Sequence, residues 1–419
     1  ALVCMTYAIG LWIDHSQRHQ RFLLARGLVL AGVMLNLGAL VFFKYLGFFG
    51  LESVALNDAA PAFRSMVLPM GISYFAFSGV SYLVDVFQGV EFAELSFVRF
   101  ANYLVMFPKL LQGPITRFGQ VRQELVTMTF NQEGLVQGVR RLITGLAKKV
   151  LIADTMGLMA DRVFSAESGS YGALVAWVGI IAYTLQIYFD FSGYTDMAIG
   201  LGRIFGFKLP ENFNYPYISR SISDFWRRWH MTLTAWFRTY LFIPLELARK
   251  KEKFLRQPSN LVIVFLLTGL WHGAGWNFII WGGYFGLILA LESGVWGRIL
   301  KKAPRVLQHL YSLALILLGW VFFRRSNPAE WGPFISTLFG GNGWTGEVTL
   351  RTLNILMYLP VMLLAIFLST PLARKLEDRV AARGAVSRLA LDLASIVLFA
   401  LAIIYLVSRG YQPFLYAQF

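Results

Sequence analysis

The sequence predicts an all-α, polytopic integral membrane protein. Of its 419 residues, 57% are hydrophobic and 15% are charged, whereas about 25% of the residues of a soluble domain are charged. The apolar residues fall in long blocks rather than in the alternating pattern of a membrane β-barrel strand. A helix that is apolar on every side needs lipid or protein interior around it. These observations exclude a water-soluble globule.

Seven apolar blocks indicate helical spans, which need about 20 residues each. They follow an apolar start at residues 1–13 and lie at 27–49, 66–88, 172–200, 260–293, 307–323, 352–370 and 389–408. The block 260–293 predicts a hairpin of two short arms. The stretches 99–115 and 231–246 are also short, and short segments at membrane depth are tolerated where they line a cavity. We therefore expect the site at these segments.

Three basic clusters predict which loops face the cytoplasm. They lie at 249–256, 298–305 and 374–388. Basic loops stay on the cytoplasmic side of a membrane, and the spans between the clusters then cross in a consistent order. The tip of the 260–293 hairpin points toward the outer face. Because its first arm is short, we expect the tip to lie within the membrane thickness.

The segment 136–150 predicts an amphipathic helix at the cytoplasmic interface. Its apolar stripe is Val136, Val139, Ile143, Leu146 and Val150, and basic residues occupy the remaining faces. Since no repeat or soluble domain is evident, we expect one membrane domain over 1–419. Its core would span about 65–325, with peripheral transmembrane helices at both ends. The chain starts without Met inside an apolar run, so part of the first helix is expected to be missing.

The formal charge of +15 indicates basic loops that face anionic lipid. Membrane lipid, and no nucleic acid, is therefore the expected partner of these loops. The single cysteine, Cys4, excludes an internal disulfide and a thiolate metal cluster.

Two of the five histidines are distinguished by their surroundings. His272 lies in the apolar hairpin, which has no charged residue between Asn260 and Glu292, and His230 ends the motif Asp224-Phe-Trp-Arg-Arg-Trp-His230. An ionisable group in such a place is costly and marks a functional site. Burial favours the neutral imidazole, which suits a general base for an acceptor hydroxyl. A buried histidine bound to a backbone carbonyl is the alternative, and two histidines without a third ligand do not predict zinc.

Arginines near His230 can hold the phosphates of a nucleotide-type acyl donor. They are Arg220, Arg227, Arg228 and Arg238. For any single one of these arginines, the alternative is equally good: it pairs with Glu211 or Asp224, or with lipid phosphates. For the embedded carboxylates Asp190 and Asp196, we expect pairing with these arginines rather than catalysis.

Several motifs occur in an order that resembles one family. They are Gly71-Ile-Ser-Tyr-Phe, Ser81-Tyr-Leu-Val-Asp85, Phe107-Pro-Lys-Leu-Leu-Gln-Gly-Pro114, Asp190-Phe-Ser-Gly-Tyr-Thr-Asp196, Pro210-Glu-Asn-Phe-Asn214, Phe225-Trp-Arg-Arg-Trp-His230, Leu270-Trp-His-Gly273 and Trp320-Val-Phe-Phe-Arg324. Together they look like the bacterial alginate O-acetylation branch of the membrane-bound O-acyltransferase family. The resemblance implies a helical core with a central tunnel and re-entrant or short helices.

The resemblance also implies the site and the reaction. The family's two catalytic histidines fall on His272 and His230. Substrate-binding positions fall on Trp226, Arg227, Arg228, Trp229, Arg238, Trp271, Asn214 and Asp196. The implied reaction moves an acetyl group from a cytoplasmic thioester, acetyl-CoA, with no tightly bound cofactor. A periplasmic or surface partner then modifies an exopolysaccharide such as alginate, which places the chain in the inner membrane.

Two features of the sequence leave more than one identity for the transferred acyl group. Pro244-Leu-Glu-Leu-Ala-Arg-Lys250 replaces a Gly-Gly-Asn/Ser-Arg turn of many alginate-type relatives, and Met231-Thr-Leu resembles the D-alanyl transfer protein of teichoic acid modification. D-alanyl transfer from an acyl carrier protein is therefore an alternative. Alternatives from other classes are a transporter or export subunit, which would commonly show internal repeats, and a structural membrane subunit.

Overall fold

The computed structural model describes residues 1–45, 71–167, 169–252, 255–410 and 412–415. Its α-helices in chain order are α1 (Leu2–Arg18), α2 (Phe22–Tyr45), α3 (Ile72–Phe87), α4 (Phe97–Val105), α5 (Phe107–Leu110), α6 (Phe118–Val126), α7 (Gln132–Ala147), α8 (Asp154–Phe164), α9 (Ala173–Ile204), α10 (Ile222–Trp226), α11 (Met231–Phe237), α12 (Ile243–Ala248), α13 (Arg256–His272), α14 (Trp276–Glu292), α15 (Val295–Lys302), α16 (Arg305–Arg324), α17 (Trp331–Leu338), α18 (Leu359–Leu368), α19 (Leu372–Ala381) and α20 (Ala385–Arg409). The π-helical segments Lys148–Ala153 and Arg238–Phe242 follow α7 and α11 directly. Within the described ranges, the β-type pairing consists of one bridge, between Tyr171 and Val348. The predicted all-α fold class is confirmed.

Four of the described helices are long and apolar enough to cross a membrane, namely α2, α9, α16 and α20. They correspond to four of the predicted spans, although residues 46–49 of the first lie outside the described residues. Two further candidates are bent pairs: α14 with α15 at 74°, and Leu356–Leu368 with α19 at 75°. Helix α3 is shorter, with 16 residues, and residues 66–70 of its predicted span are not among those described. Lys253 of the first basic cluster also lies outside the described residues.

The predicted span 352–370 is wrong as a single helix. Helix α18 begins at Leu359 and has ten residues, with a proline in its first turn. Proline lacks the N–H that would bond to the preceding turn, so it favours a helix start at this position. Pro371 then separates α18 from α19. The stretches 99–115 and 231–246 are broken into short helices, as predicted.

The predicted hairpin at 260–293 is confirmed as α13 and α14, joined by residues 273–275. Glycines let the two helices approach closely: a Cβ on Gly269 would lie 2.2 Å from the carbonyl oxygen of Phe278, and one on Gly282 would lie 2.3 Å from that of Phe265. Each arm has 17 residues and is therefore about 25 Å long. The hydrocarbon core of a bilayer is about 30 Å thick, so neither arm spans it when upright.

Helix α7 covers most of the amphipathic segment predicted at 136–150. Val136 and Val139 of the apolar stripe are exposed, while Gly145 packs against the backbone of α9. On the inner side, Arg141 donates to Asp196 of α9 at 2.8 Å. Paired charges and a small residue thus face the protein. The first part of the apolar stripe stays on the outside, where lipid can accept it, whereas Val150 at its end is buried.

Asp190 and Asp196 pair with basic residues, as predicted, but not with the predicted arginines of residues 220–238. Asp190 accepts a hydrogen bond from Lys149 Nζ at 2.8 Å, and the partners of Asp196 lie on α7 and in the π-helical segment after it. The prediction was wrong because α7 and this segment lie along α9, whereas the arginines lie before α10, directly after it and at the start of the segment Arg238–Phe242. A contact between residues that are more than 40 positions apart cannot be recognised from the local sequence pattern.

Helix α9 lies at the centre of the molecule and is buried over most of its length. The main hydrophobic core joins it to α8, α10, α14, α16 and α18. Trp229, Trp281 and Trp320 are the largest fully buried side chains of this core. Of these three, Trp281 contacts the ring of His272, one of the two histidines that the sequence singled out.

Candidate active site

His272 is the last residue of α13 and is buried. Its imidazole packs among aromatic rings, with the ring centroid of Trp281 at 5.0 Å and that of Phe323 at 5.3 Å. Gly273 follows with extended backbone, so the helix stops at the histidine and the hairpin tip begins. The imidazole is therefore held at a helix end inside an aromatic wall.

His230 directly precedes α11 and has a left-handed backbone, with φ of 44°. A non-glycine residue adopts such a conformation at a cost of about 1–3 kcal/mol, and such residues cluster at functional sites. The side chain is fully buried, and its ring packs edge-on against Phe191 with centroids 4.7 Å apart.

Asn212 determines the tautomer of His230. Its Oδ1 accepts hydrogen bonds from the Thr232 N–H at 3.2 Å and from Thr232 Oγ1 at 3.0 Å. His230 Nδ1 lies 3.1 Å from the same oxygen and must therefore carry a proton. In the neutral ring Nε2 then holds a lone pair, and this atom is buried with no partner among the described residues. It can accept a hydrogen bond from a substrate hydroxyl.

Trp271 lies between the two histidines. Its ring centroid is 6.0 Å from that of His230 and 4.8 Å from that of His272. Its indole N–H is buried and has no acceptor among the described residues. The unpaired donor of Trp271 and the unpaired acceptor of His230 thus belong to neighbouring rings, and the ring of Trp271 also contacts His272.

Two residues of α2 bind the carbonyl end of α13. Lys44 Nζ donates to the carbonyl oxygens of Trp271 at 2.6 Å and His272 at 2.9 Å, and the Tyr45 hydroxyl donates to that of Leu270. The last carbonyls of a helix have no partner within the helix and carry partial negative charge, which a cation stabilises. Lys44 therefore holds the backbone that carries His272.

Indole N–H groups line the site. Those without an acceptor among the described residues belong to Trp226, Trp271, Trp281 and Trp320. The rings of Trp226 and Trp281 lie 5.6 Å apart, and that of Trp281 contacts His272. Buried indole N–H groups usually find a partner, so this wall is suited to a ligand with carbonyl oxygens.

Five of the ten predicted site residues come together here: His230, His272, Trp226, Trp229 and Trp271. The other five lie apart from them: Arg227, Arg228, Arg238, Asn214 and Asp196. Arg227 and Arg228 pair with Asp224 at 3.4 Å and 3.2 Å, which is the alternative considered for them. Arg238 and Asn214 are exposed, and Asp196 belongs to the ion pairs with α7.

Asn212 and Lys44 were missed by the sequence argument. Asn212 lies inside the quoted motif Pro210-Glu-Asn-Phe-Asn214, but its link to His230 crosses 18 residues. Lys44 is a charged residue near the end of an apolar span, and a lysine at this position is typical of an ordinary interfacial anchor. In the part of the chain that the structure describes, no His, Cys, Asp and Glu side chains group in threes to hold a metal ion.

Comparison with known proteins gives a family match and named relatives. The model of the membrane-bound O-acyltransferase family matches residues 74–314. The probable alginate O-acetylase AlgI of Azotobacter vinelandii is 36% identical over 100% of this chain and 90% of its own length. The peptidoglycan O-acetyltransferase of Helicobacter pylori is 35% identical, covering 75% of this chain and 65% of its own length. The teichoic acid D-alanyltransferase of Bacillus subtilis is 33% identical, covering 58% and 63%.

Proposed function

Because the chain belongs to the membrane-bound O-acyltransferase family, we propose that it transfers an acetyl group from acetyl-CoA to a hydroxyl acceptor. The donor binds from the cytoplasm, and the acetyl group serves the O-acetylation of an exopolysaccharide such as alginate. The basic clusters at 249–256, 298–305 and 374–388 support an inner-membrane location with these loops in the cytoplasm. The acceptor side then faces a periplasmic or surface acetyltransferase partner.

The observation that carries this proposal is the arrangement of the two buried histidines around Trp271. The lone pair of His230 Nε2 and the N–H of Trp271 both lack a protein partner among the described residues. A substrate hydroxyl can donate a hydrogen bond to this lone pair, and a thioester carbonyl can accept one from this N–H. A structural membrane subunit has no reason to keep such groups buried and unpaired, because each costs free energy.

In the reaction that we propose, His272 acts as the general base. The acceptor oxygen bonds to the thioester carbonyl carbon while the acceptor proton moves to the His272 imidazole. The His230 Nε2 lone pair orients the acceptor by accepting a hydrogen bond from a second hydroxyl of the acceptor, and the Trp271 N–H donates to the oxygen on which negative charge develops. The carbon–sulfur bond then breaks, and the departing thiolate takes up the proton, which leaves an ester and a free thiol.

The D-alanyl alternative differs in charge. A D-alanyl group carries an ammonium, and Lys44 already brings a positive charge to the end of α13 that bears His272. Like charges in a poorly solvated site repel each other strongly. The relative named as an alginate O-acetylase also matches a larger share of both chains than the D-alanyltransferase does. Both observations favour acetyl.

A donor comparison tests this proposal. The full chain, purified in detergent, is incubated with acetyl-labelled CoA or with a D-alanyl carrier protein, and release of the free thiol is measured. We expect turnover of acetyl-CoA and none of the D-alanyl carrier. Turnover with the carrier alone would reject acetyl transfer in favour of D-alanyl transfer.

A further inference from the structure

The loop at residues 106–116 contains a lysine that has no counter-ion among the described residues. Lys109 is only 3% exposed, and its Nζ makes no hydrogen bond or ion pair with any described residue. The ammonium lies over the ring of Tyr103, 4.1 Å from the centroid. A buried charge without a counter-ion is strongly unfavourable, so this lysine costs stability in the absence of an anion.

Other polar groups beside Lys109 are also unpaired. Gln112 is 2% exposed, and neither its amide nitrogen nor its oxygen has a partner among the described residues. The hydroxyl of Tyr74, which borders the same narrow space as Lys109, is unpaired as well. A cation, an amide and a hydroxyl therefore lie in one region, and none of them has a hydrogen-bond partner among the described residues.

This loop is joined to the histidine site by a chain of hydrogen bonds. The Ile115 N–H donates to Thr232 Oγ1 at 3.0 Å, and Thr232 Oγ1 donates at 3.0 Å to the Asn212 oxygen that holds His230. The rings of Tyr74 and Trp271 also lie 6.0 Å apart. A ligand that contacts Lys109 is therefore placed to extend toward the histidines.

The loop also lies near the cytoplasmic end of α9. Phe107, at its start, packs against Phe205, which follows α9, with ring centroids 5.7 Å apart. Arg203 and Lys208 flank that end, and basic residues mark the cytoplasmic side. In the proposed function, the thioester donor enters from this side.

We propose that Lys109 and Gln112 bind the phosphopantetheine arm of the acyl donor. Lys109 holds the phosphate, and Gln112 pairs with an amide of the arm, which has both a donor and an acceptor. The arm's thioester then reaches Trp271 and the histidines. This assignment rests on the proposed acyl-thioester function. Leu110 and Pro114 border the space beside Lys109 and keep it narrow, so binding of the arm has to displace part of the loop.

Two compounds that differ only in the phosphate test this proposal. Binding of pantetheine 4′-phosphate and of pantetheine to the purified full chain is measured by calorimetry. The wild type should bind the phosphorylated compound at least about tenfold more tightly, as one charge-assisted contact allows. Lys109→Met should bind both alike, and Lys109→Arg should keep the preference. Lys302→Met, at an exposed lysine, is the matched control and should behave as wild type.

The contrary outcomes are equally specific. A wild-type chain without phosphate preference, or a preference that survives in Lys109→Met, would overturn the proposal. Competition by phosphatidylglycerol added to the micelles would assign the site to a lipid phosphate and would also overturn it. A measurement on the wild type alone guards against a variant that fails to fold: pantetheine 4′-phosphate should raise the melting temperature more than pantetheine does, and equal shifts would contradict the assignment.

Turnover of acetyl-CoA separates this inference from the proposed function. Turnover together with a phosphate preference that does not depend on Lys109 removes the inference and leaves the function in place. A Lys109-dependent preference without turnover removes acetyl transfer from acetyl-CoA and leaves the inference in place. Lys109→Met should also melt no lower than wild type when no donor is present, since it loses an unpaired buried charge.

Discussion

Each histidine of the site depends on one residue that controls its orientation or protonation. Asn212 holds the proton of His230 on Nδ1, and Lys44 binds the carbonyl of His272. The sequence could identify both histidines, because a histidine among apolar residues and one at the end of an aromatic motif are visible as patterns. It could not identify their supporting residues, because those contacts join parts of the chain that are distant in sequence.

Removing the Asn212 side chain tests its role at this scale. In Asn212→Ala, His230 loses the acceptor that keeps Nε2 deprotonated, and turnover should fall about tenfold or more, as expected when a buried hydrogen bond is lost. Initial rates of thiol release from acetyl-CoA are measured beside Asn342→Ala, a control at an exposed asparagine. Unchanged turnover in Asn212→Ala would show that the tautomer of His230 is unimportant.

Helix ends and close helix contacts set the site at the next scale. Long apolar helices such as α9 were predictable because a continuous apolar run has one stable solution in lipid. Helix α7 was predictable from its apolar stripe, but the inward contact of Arg141 was not, since it depends on Asp196 of another helix. The span 352–370 failed for a local reason, because a proline favours the start of α18 within it.

The capping of α13 by Lys44 predicts an effect on rate rather than on donor affinity. Lys44→Met removes a cation from the helix end that carries His272 and should lower kcat about tenfold, with little change in the KM for the donor. Lys44→Arg keeps a cation at this position and should recover much of the activity. If Lys44 only anchored the helix in lipid, Lys44→Met would not lower kcat. Steady-state kinetics of the three proteins make this comparison, and a change confined to KM would contradict it.

The tight packing of α13 on α14 predicts different effects of two neighbouring glycine substitutions. In Gly269→Ala the new Cβ would lie 2.2 Å from the carbonyl oxygen of Phe278, whereas in Gly283→Ala it would lie 3.5 Å from its nearest neighbour. The first should lower the free energy of unfolding by about 1–3 kcal/mol, and the second should leave it nearly unchanged. Melting temperatures in detergent test this, and equal effects would mean that the hairpin is looser than described.

At the scale of the whole molecule, the charge distribution predicts the membrane topology. The basic loops carry most of the net positive charge of the chain, while several charges inside the bundle are paired, as Lys149 is with Asp190. Composition alone predicted the membrane class and the orientation of the loops. The internal pairing required the structure, because a carboxylate within an apolar span does not specify which cation will meet it.

Labelling of single cysteines tests this topology. In a Cys4→Ser background, Lys302→Cys places an exposed thiol in the basic loop at 298–305. Trp344→Cys places one beyond α16, which leads from that loop to the opposite side of the membrane. A maleimide that cannot cross membranes should label Trp344→Cys in intact spheroplasts and Lys302→Cys only after lysis. The reverse labelling pattern would mean that the protein has the opposite orientation in the membrane. The loop at residues 106–116, which is proposed to bind the donor, would then not face the cytoplasm.

The most direct test of the central claim is the rate of acetyl transfer from labelled acetyl-CoA by wild type and by His272→Ala. His15→Ala, at an exposed histidine, serves as the control. Loss of a general base is expected to lower turnover by about 10²–10⁴-fold, while the variant stays folded and still binds the donor. Turnover in His272→Ala equal to that of wild type and of the control would contradict the assignment of His272 and the catalytic site built around it.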